Sequence, residues 1–464
     1  MKISYNWLKQ FIQTDKTPQE ISLILTDIGL EVESLETVQP VAGGLEGLVI
    51  GHVLSCVQHP NADRLRVTTV DVGGVEPIQV VCGAPNVAQG QKVVVATVGT
   101  TVYPNEGEPF KINKSKIRGE ASEGMICAED EIGLGVSHDG IMVLPEDTVV
   151  GTTARAYFKL EDDYLFEIGL TPNRADATSH LGVARDLAAY FRTSIQMPDI
   201  SGFKTDNESL VIDVAVEDTA ACPRYSSVTI SGVTVQNSPD WLQDKLKVIG
   251  IRPINNIVDI TNYVLHDLGV PLHAFDADQI KGGKVRVKKC AEDAPFVTLD
   301  GVERKLSADD LMICNAEEPM CIAGVFGGKS SGVSESTTNI FLESAYFNAV
   351  SVRKTSKRHS LKTDASFRFE RGTDPEMTVT ALKRAALLIT ELAGGKVSSQ
   401  VSDLYPTPIK PFDVEVTYQN ITRLIGADIA SEEIKSIVKA LGIIVAEETA
   451  EGLSLKVPTF KVDV

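Results

Sequence analysis

The chain has 464 residues, 43% apolar and 23% charged, with a formal net charge of −19. That length exceeds what one hydrophobic core serves and predicts three or four soluble domains, while the acidic balance argues against a broad polyanion-binding surface. The opening MKISYNWLKQFIQ has too little apolar length for a signal peptide or membrane span, which makes a cytoplasmic, non-membrane protein the default expectation.

Residues 1–39 read as a small α/β piece. Ser4 precedes an apolar stretch through Trp7, Leu8, Phe11 and Ile12; Pro18 opens a second, with Ile21, Leu25 and Ile28 on one face and Gly29 as a stop. PVAGGLEG (40–47) reads as a linker. From Leu48 to Asp147, short β runs such as LVIGHVLSCV, PIQVVCG and KVVVATVG are separated by Gly, Pro and Asn. They predict a small closed barrel, because closure removes exposed strand edges, with a β-sandwich as the competing architecture. Residues 152–195 return to α/β character, with a helix from Ser179 to Tyr190 after the turn TPNRAD. A larger α/β region follows, with helices expected over 239–249, 256–268 and 375–393. After the turn-rich YPTPIKPF, residues 408–464 read as the start of a further, truncated domain that ends inside an apparent strand. The whole is a multidomain α+β chain.

Seven cysteines without a CxxC pair fit free thiols in a reducing compartment better than disulfides or a zinc knuckle. AGVFGGKS (323–330) fits a relaxed phosphate-loop pattern, but SSGVSEST cannot open the helix such a loop needs, so a glycine-rich wall or a plain turn is expected instead. His266 and His273 are seven apart, the wrong spacing for a helical metal pair. His273, in PLHAFD, is either a satisfied core or turn residue or one that positions water or acts as a general base. Arg252, Glu343, Thr363 and Ser366 fall beside expected strand ends or turns, and spacing alone does not join them to His273. Between Ser351 and Arg371 stand seven Lys/Arg against two Asp/Glu. That tract is either a solvated helix face or a contact for a few RNA phosphates.

The run GIRPINNIVDITNYVLHDLGVPLHAFD (250–276) resembles the editing region of bacterial phenylalanyl-tRNA synthetase β subunits, as does IAGVFGGKSSGVSESTTNIFLESAYFNAVSVRKTSKRHSLKTDASFRFERGTDP (322–375). YNWLKQFI (5–12) and TPNRADATSHLGVARDLAAY (171–190) fit the same family. GHVLSCVQHPNADRLRVTTVDVG (51–73), VCGAPNV (81–87) and KSKIRGEASEGMICAEDEIGL (114–134) resemble its tRNA-binding barrel. The resemblance implies an OB-type barrel (40–151) inserted in a small α/β domain (1–39 plus 152–195), an editing module of two intertwined α/β subdomains (200–400), and the amino-terminal half of a longer subunit.

In that family the β subunit pairs with a catalytic α subunit in an (αβ)₂ heterotetramer that charges tRNA(Phe) with phenylalanine at the cost of ATP. The synthetic site then lies on α, and no arginine-bearing motif of such a site occurs in this chain. The resemblance assigns hydrolysis of Tyr-tRNA(Phe) to the editing module. Carried over by motif, Glu343 receives the tyrosine phenol as an ionised acceptor, and His273 orients water or the ester. Arg252 steadies the RNA end or its polar surroundings; Gly327 lines the pocket, and Thr363 and Ala365 lie close to substrate. Asp463, in VPTFKVDV, matches an aspartate that helps hold a magnesium ion shared with α. The barrel segment is itself acidic, with KINKSKIRG (111–119) its only basic tract, so a weak or local RNA contact is expected there.

Overall fold

The structure, a computed structural model, describes residues 1–463. Two compact units divide the chain, one of residues 37–163 and the other of residues 1–36 and 164–464.

In residues 37–163 one sheet runs in the order Gly124–Ile126, Lys92–Thr97, Leu48–Gln58, Arg66–Asp71, Ile78–Cys82, with Val143–Leu144 also paired to Lys92–Thr97. Its two ends approach each other, the Glu123 amide donating to the Gln79 carbonyl at 2.8 Å and the Val81 amide to Ser122 Oγ at 3.1 Å. The sheet is a nearly closed barrel, not a sandwich. KVVVAT is an apolar run because both of its faces are covered: Val93 and Val95 pack with Val53, Val70 and Val80, while Val94 and Ala96 pack with Ile50, Ile112 and Cys127.

In the other unit the strands Lys2–Ser4, Asp163–Gly169 and Glu31–Val38 form a sheet in that order. Helix Pro18–Asp27 begins where the sequence suggested, with Pro at its first position and a Thr17/Glu20 capping box. Ser179 caps helix His180–Phe191. Its first residue stacks on buried Trp7 at 4.0 Å, and Trp7 stacks on Tyr263 at 4.7 Å.

The site is carried by strand β1 (Arg224–Ser231), helix α1 (Asn256–Leu268), strands β2 (Leu272–Asp276) and β3 (Asn339–Tyr346), and helices α2 (Ala349–His359), α3 (Asp364–Phe369) and α4 (Thr378–Leu392). β3 pairs antiparallel with β2 on one side and β1 on the other, and Lys396–Val397 and Ser402–Leu404 extend the sheet beyond β1. A second sheet follows the order Asp213–Val216, Lys284–Lys289, Leu311–Cys314, Pro319–Ile322, Phe326–Gly327. Alternation along the strands sends Tyr225, Phe275, Phe341 and Ala345 into one core with Val285, Val287, Met312 and Ile322 of the second sheet. Val228, Ile230, Ile340 and Leu342 point the other way and are equally buried, on the side where α4 lies against β1 and β3. No helix follows the glycine-rich segment; a short 3₁₀ turn at Lys329–Ser331 leads on towards β3.

Residues 412–457 form a three-stranded sheet, Phe412–Thr417, Gly452–Val457, Ile444–Glu448, with helices Tyr418–Ile425 and Ser431–Ala440 over a core of Ile434, Ile443, Leu453, Leu455 and Val457. The last strand ends at Val457 and residues 458–463 form no strand, which corrects the sequence reading of a strand at this end. No helix among the described residues is long and apolar enough to cross a membrane.

Candidate active site

Antiparallel register sets His273 of β2 directly opposite Glu343 of β3, and Phe275 opposite Phe341. Cross-strand partners share a face, so a histidine and a carboxyl 70 positions apart in sequence point into the same space. Tyr225 stands on β1 opposite Ala345, two positions from the residue facing Glu343, and its hydroxyl donates to Glu343 Oε2 at 2.7 Å. Oε1 is left without a partner among the described residues.

A cavity of about 280 Å³ opens over this corner. Pro271, Leu272, Leu299, Val325, Phe326 and Phe369 make apolar walls, Thr261, Asn262 and Leu265 of α1 border it, and Glu343 and Cys321 lie deep in it. The volume falls at the small end of ligand pockets and suits one amino-acid side chain. Burial pushes the Glu343 carboxyl up to about 8, and the Tyr225 hydrogen bond opposes that rise. The carboxyl is therefore mostly protonated near neutral pH, which differs from the ionised acceptor that the residue type suggested. Desolvation also lowers His273, to about 4, so its imidazole is neutral at pH 7; its ring meets Phe275 edge to face at 4.4 Å.

Gly327 stands close to two side chains of the cavity. A Cβ there would lie 2.8 Å from Leu299 Cδ1 and 3.0 Å from His273 Cε1, so a side chain presses on the imidazole unless these groups shift. Thr363 caps α3, accepting from the Ser366 amide at 3.0 Å, while the Ser366 hydroxyl accepts from the Thr363 amide at 2.9 Å. The Thr363 hydroxyl also donates to the Val325 carbonyl at 3.0 Å, tying the start of α3 to the loop that carries Gly327. Ala365 follows on the cavity wall. Arg368, wholly buried, donates to the carbonyls of Thr178 at 3.0 Å and Asp364 at 2.9 Å and contacts His266 Nδ1 at 3.2 Å. Burial lowers its guanidinium to about 10, leaving it charged.

His273, Gly327, Glu343, Thr363 and Ala365 thus share one cavity. Arg252 does not line it. It is exposed in the loop before α1, and the nearest cavity-bordering residue of that helix, Thr261, stands roughly 8 Å along it from Asn256 at 1.5 Å per residue. His266 faces Arg368 instead of His273. Asp463 is exposed in a turn, and among the described residues no three His, Cys, Asp or Glu side chains converge to hold a metal. Asp463 offers magnesium a single carboxylate, so the rest of an octahedral oxygen set would have to come from water or other groups. Sequence reasoning missed Tyr225 and Cys321. Alternation in RYSSVTIS places Tyr225 on a buried face, but only the sheet register brings it to a residue 118 positions away.

Family models match three stretches in order: a tRNA binding domain at residues 48–153, a B3/4 domain at 221–394, and a tRNA synthetase B5 domain at 414–464. The cavity lies within the B3/4 match. The phenylalanine–tRNA ligase beta subunit of Bacteroides fragilis (strain YCH46) is 59% identical over the whole of this chain and 57% of its own length. Those of Bacteroides thetaiotaomicron and Porphyromonas gingivalis are 57% and 54% identical, again over all of this chain and 57% of theirs. Among solved structures, an N-terminal fragment of the phenylalanyl-tRNA synthetase beta-subunit from Pyrococcus horikoshii aligns over 65% of this chain and 83% of that chain, at 16% identity and a TM-score of 0.33. The chain spans little more than half the length of the curated relatives it matches, and over all of its own length it is similar to phenylalanine–tRNA ligase beta subunits.

Proposed function

We propose that this chain is the part of a phenylalanyl-tRNA synthetase β subunit that hydrolyses mischarged Tyr-tRNA(Phe), with His273, Gly327, Glu343, Thr363 and Ala365 around the reacting ester. The observation that carries this is a single buried carboxyl set deep in a largely apolar cavity of side-chain size, opposite a neutral histidine, with Thr261, Asn262, Thr363 and the exposed Asp364 also on its lining. Such a cavity distinguishes tyrosine from phenylalanine by its hydroxyl. With phenylalanine bound, the free oxygen of Glu343 stays unpaired and desolvated, whereas the tyrosine phenol satisfies it. Because the carboxyl is neutral near pH 7, it both donates and accepts, and no buried charge is left when the cavity closes over a ligand.

His273 is too weak a base to hold a full proton before reaction. Its neutral ring accepts a hydrogen bond from water and holds that water against the ester carbonyl. Attack by the water oxygen breaks the bond between the tyrosyl carbon and the ribose oxygen; the hydroxyl goes to tyrosine and the proton to the ribose oxygen, with the neighbouring ribose hydroxyl able to relay it. No side-chain nucleophile is needed. Arg252, outside the cavity, is left for contact with RNA beyond the terminal nucleotide.

In the same reading the barrel of residues 40–151 is an OB-type tRNA contact inserted in the small α/β domain (1–39 plus 152–195), the editing module spans 200–400, and 408–464 begins a further domain. The chain works in the cytoplasm with an α subunit, as an (αβ)₂ phenylalanine–tRNA ligase that uses ATP on α. Asp463 supplies at most one magnesium ligand, the others coming from outside these residues. The test is incubation of the chain with preformed Tyr-tRNA(Phe). Release of tyrosine that Glu343→Ala and His273→Ala abolish is expected; release no faster than in the double variant removes editing and leaves a tRNA-binding scaffold.

A further inference from the structure

Helix α2 carries a cationic face whose side chains make no ion pair among the described residues. Its inner side buries Val352, Thr355 and Ser356, which turns Arg353, Lys354 and Lys357 outward. All three are exposed, and none makes an ion pair or side-chain hydrogen bond among the described residues. Arg358 differs: it bonds to the buried carboxylate of Asp310, which also takes His359 and Thr355. Lys362, exposed and equally free, follows the helix and directly precedes the Thr363 cap. In a chain with a net charge of −19, four unpaired cations along one edge run against the average.

The end of that edge lies at the cavity. Arg304 donates to the carbonyl of His359, the last residue of α2, at 3.2 Å. Arg304 belongs to the hairpin of Pro295–Val297 and Glu303–Lys305, whose turn holds Leu299 on the cavity wall, where its amide bonds to the Gly327 carbonyl at 3.0 Å. Helix α2 therefore ends at the cavity rim, beside Thr363 and Ala365, and its free cations lead away from it. Three acidic groups border this edge, one of them Asp218, which lines the same hollow as Lys354 and is matched by Lys289 at 3.4 Å. Asp364 is matched by Arg368 at 3.4 Å, and Asp309 shares a shallow hollow with Lys354 and Arg358.

We propose that Arg353, Lys354, Lys357 and Lys362 form the strip on which the phosphodiester backbone of a single-stranded RNA end lies while its terminal aminoacyl group occupies the cavity. The inference rests on the editing reading, because an ester buried at Glu343 requires the preceding phosphates to cross the rim. Charge complementarity selects the partner, and point charges on flexible stems suit a backbone read without regard to sequence.

The test uses the full chain and two arms. In the first, binding of a short single-stranded RNA with the tRNA 3′-terminal sequence is measured against salt for wild type and for Arg353→Gln/Lys354→Gln/Lys357→Gln. A charge-matched control, Lys410→Gln/Arg423→Gln/Lys439→Gln, removes three exposed cations elsewhere. Loss of three phosphate contacts lowers the log–log salt slope by about 2 and weakens binding roughly 100-fold at 0.1 M salt, with little difference near 1 M. In the second arm, hydrolysis of Tyr-tRNA(Phe) by the strip variant shows a raised KM with kcat retained. Affinity and slope equal to those of wild type, or a control that falls as far as the strip variant, overturn the strip. Wild-type binding with the expected slope but no hydrolysis overturns the editing reading and leaves the strip standing.

Discussion

Replacing Glu343 by glutamine removes one ionisable group while keeping the shape of the side chain and an acceptor for the Tyr225 hydroxyl. The carboxyl, ordinarily at 4.5, stands at about 8 in the folded protein because burial penalises its charged form. Between those two values folding takes up a proton. The resulting stability is complete below pH 4.5 and is lost as pH rises towards 8, by about 1.4 kcal/mol per pH unit. From pH 6 to pH 8, allowing for the curvature near 8, the wild type loses about 2 kcal/mol through this group alone. Glutamine does not titrate, so the stability of Glu343→Gln relative to wild type rises by that amount over the same interval. Urea unfolding followed by tryptophan fluorescence is a suitable assay. The chain has two tryptophans, Trp7 and Trp241, both packed on Tyr263 in the same compact unit as Glu343, so the signal does not report the barrel. A difference between variant and wild type that stays constant within about 0.5 kcal/mol from pH 6 to 8 refutes a raised carboxyl, since linkage requires the difference to change.

Gly327→Ala drives a methyl group into His273 and Leu299; hydrolysis of Tyr-tRNA(Phe) is expected to fall at least about tenfold, as expected when a reacting group is misplaced by roughly 1 Å, and an unchanged rate would show that His273 is not engaged. Thr363→Ala loses a helix cap and frees the Val325 carbonyl, for about 1 kcal/mol of stability and faster amide exchange at Ser366, read by hydrogen exchange. Arg368→Met leaves the carbonyls of Thr178 and Asp364 without their donor and should cost about 3 kcal/mol, seen as a lower unfolding midpoint. With His273 at about 4 and Glu343 at about 8, the editing rate should show no inflection near 6.5 and should change near 8; a histidine-like step near 6.5 would place His273 in water instead.

Much of the local architecture was legible in the chain itself. Pro18 before the apolar face of Ile21, Leu25 and Ile28, with Gly29 behind it, marks a helix by local pattern alone, and the structure adds the Thr17/Glu20 capping box at that start and an Asn255 cap on the helix of 256–268. The failure of 323–334 to start a helix was equally local, because Gly332 and small polar residues cannot propagate one. The barrel was visible as strand spacing, but its closure depends on Glu123 meeting Gln79, a contact between distant segments.

The long motifs placed His273, Glu343, Gly327, Thr363 and Ala365 in one family of residues, and the sheet then brought them to one cavity. Charge states and partners came only from tertiary structure. A glutamate in NIFLESAY looks ionised until the register sets it on the buried face of β3 with Tyr225 on one oxygen, and burial then favours the neutral acid. Arg252 illustrates the converse: it adjoins the cavity-bearing motif in sequence, yet it stands exposed in the loop before α1 and does not line the cavity. Residue type and short-range hydrogen bonding determine where elements begin and end. Strand register decides which side chains share a low-dielectric space, and that space sets their protonation and what the site can recognise.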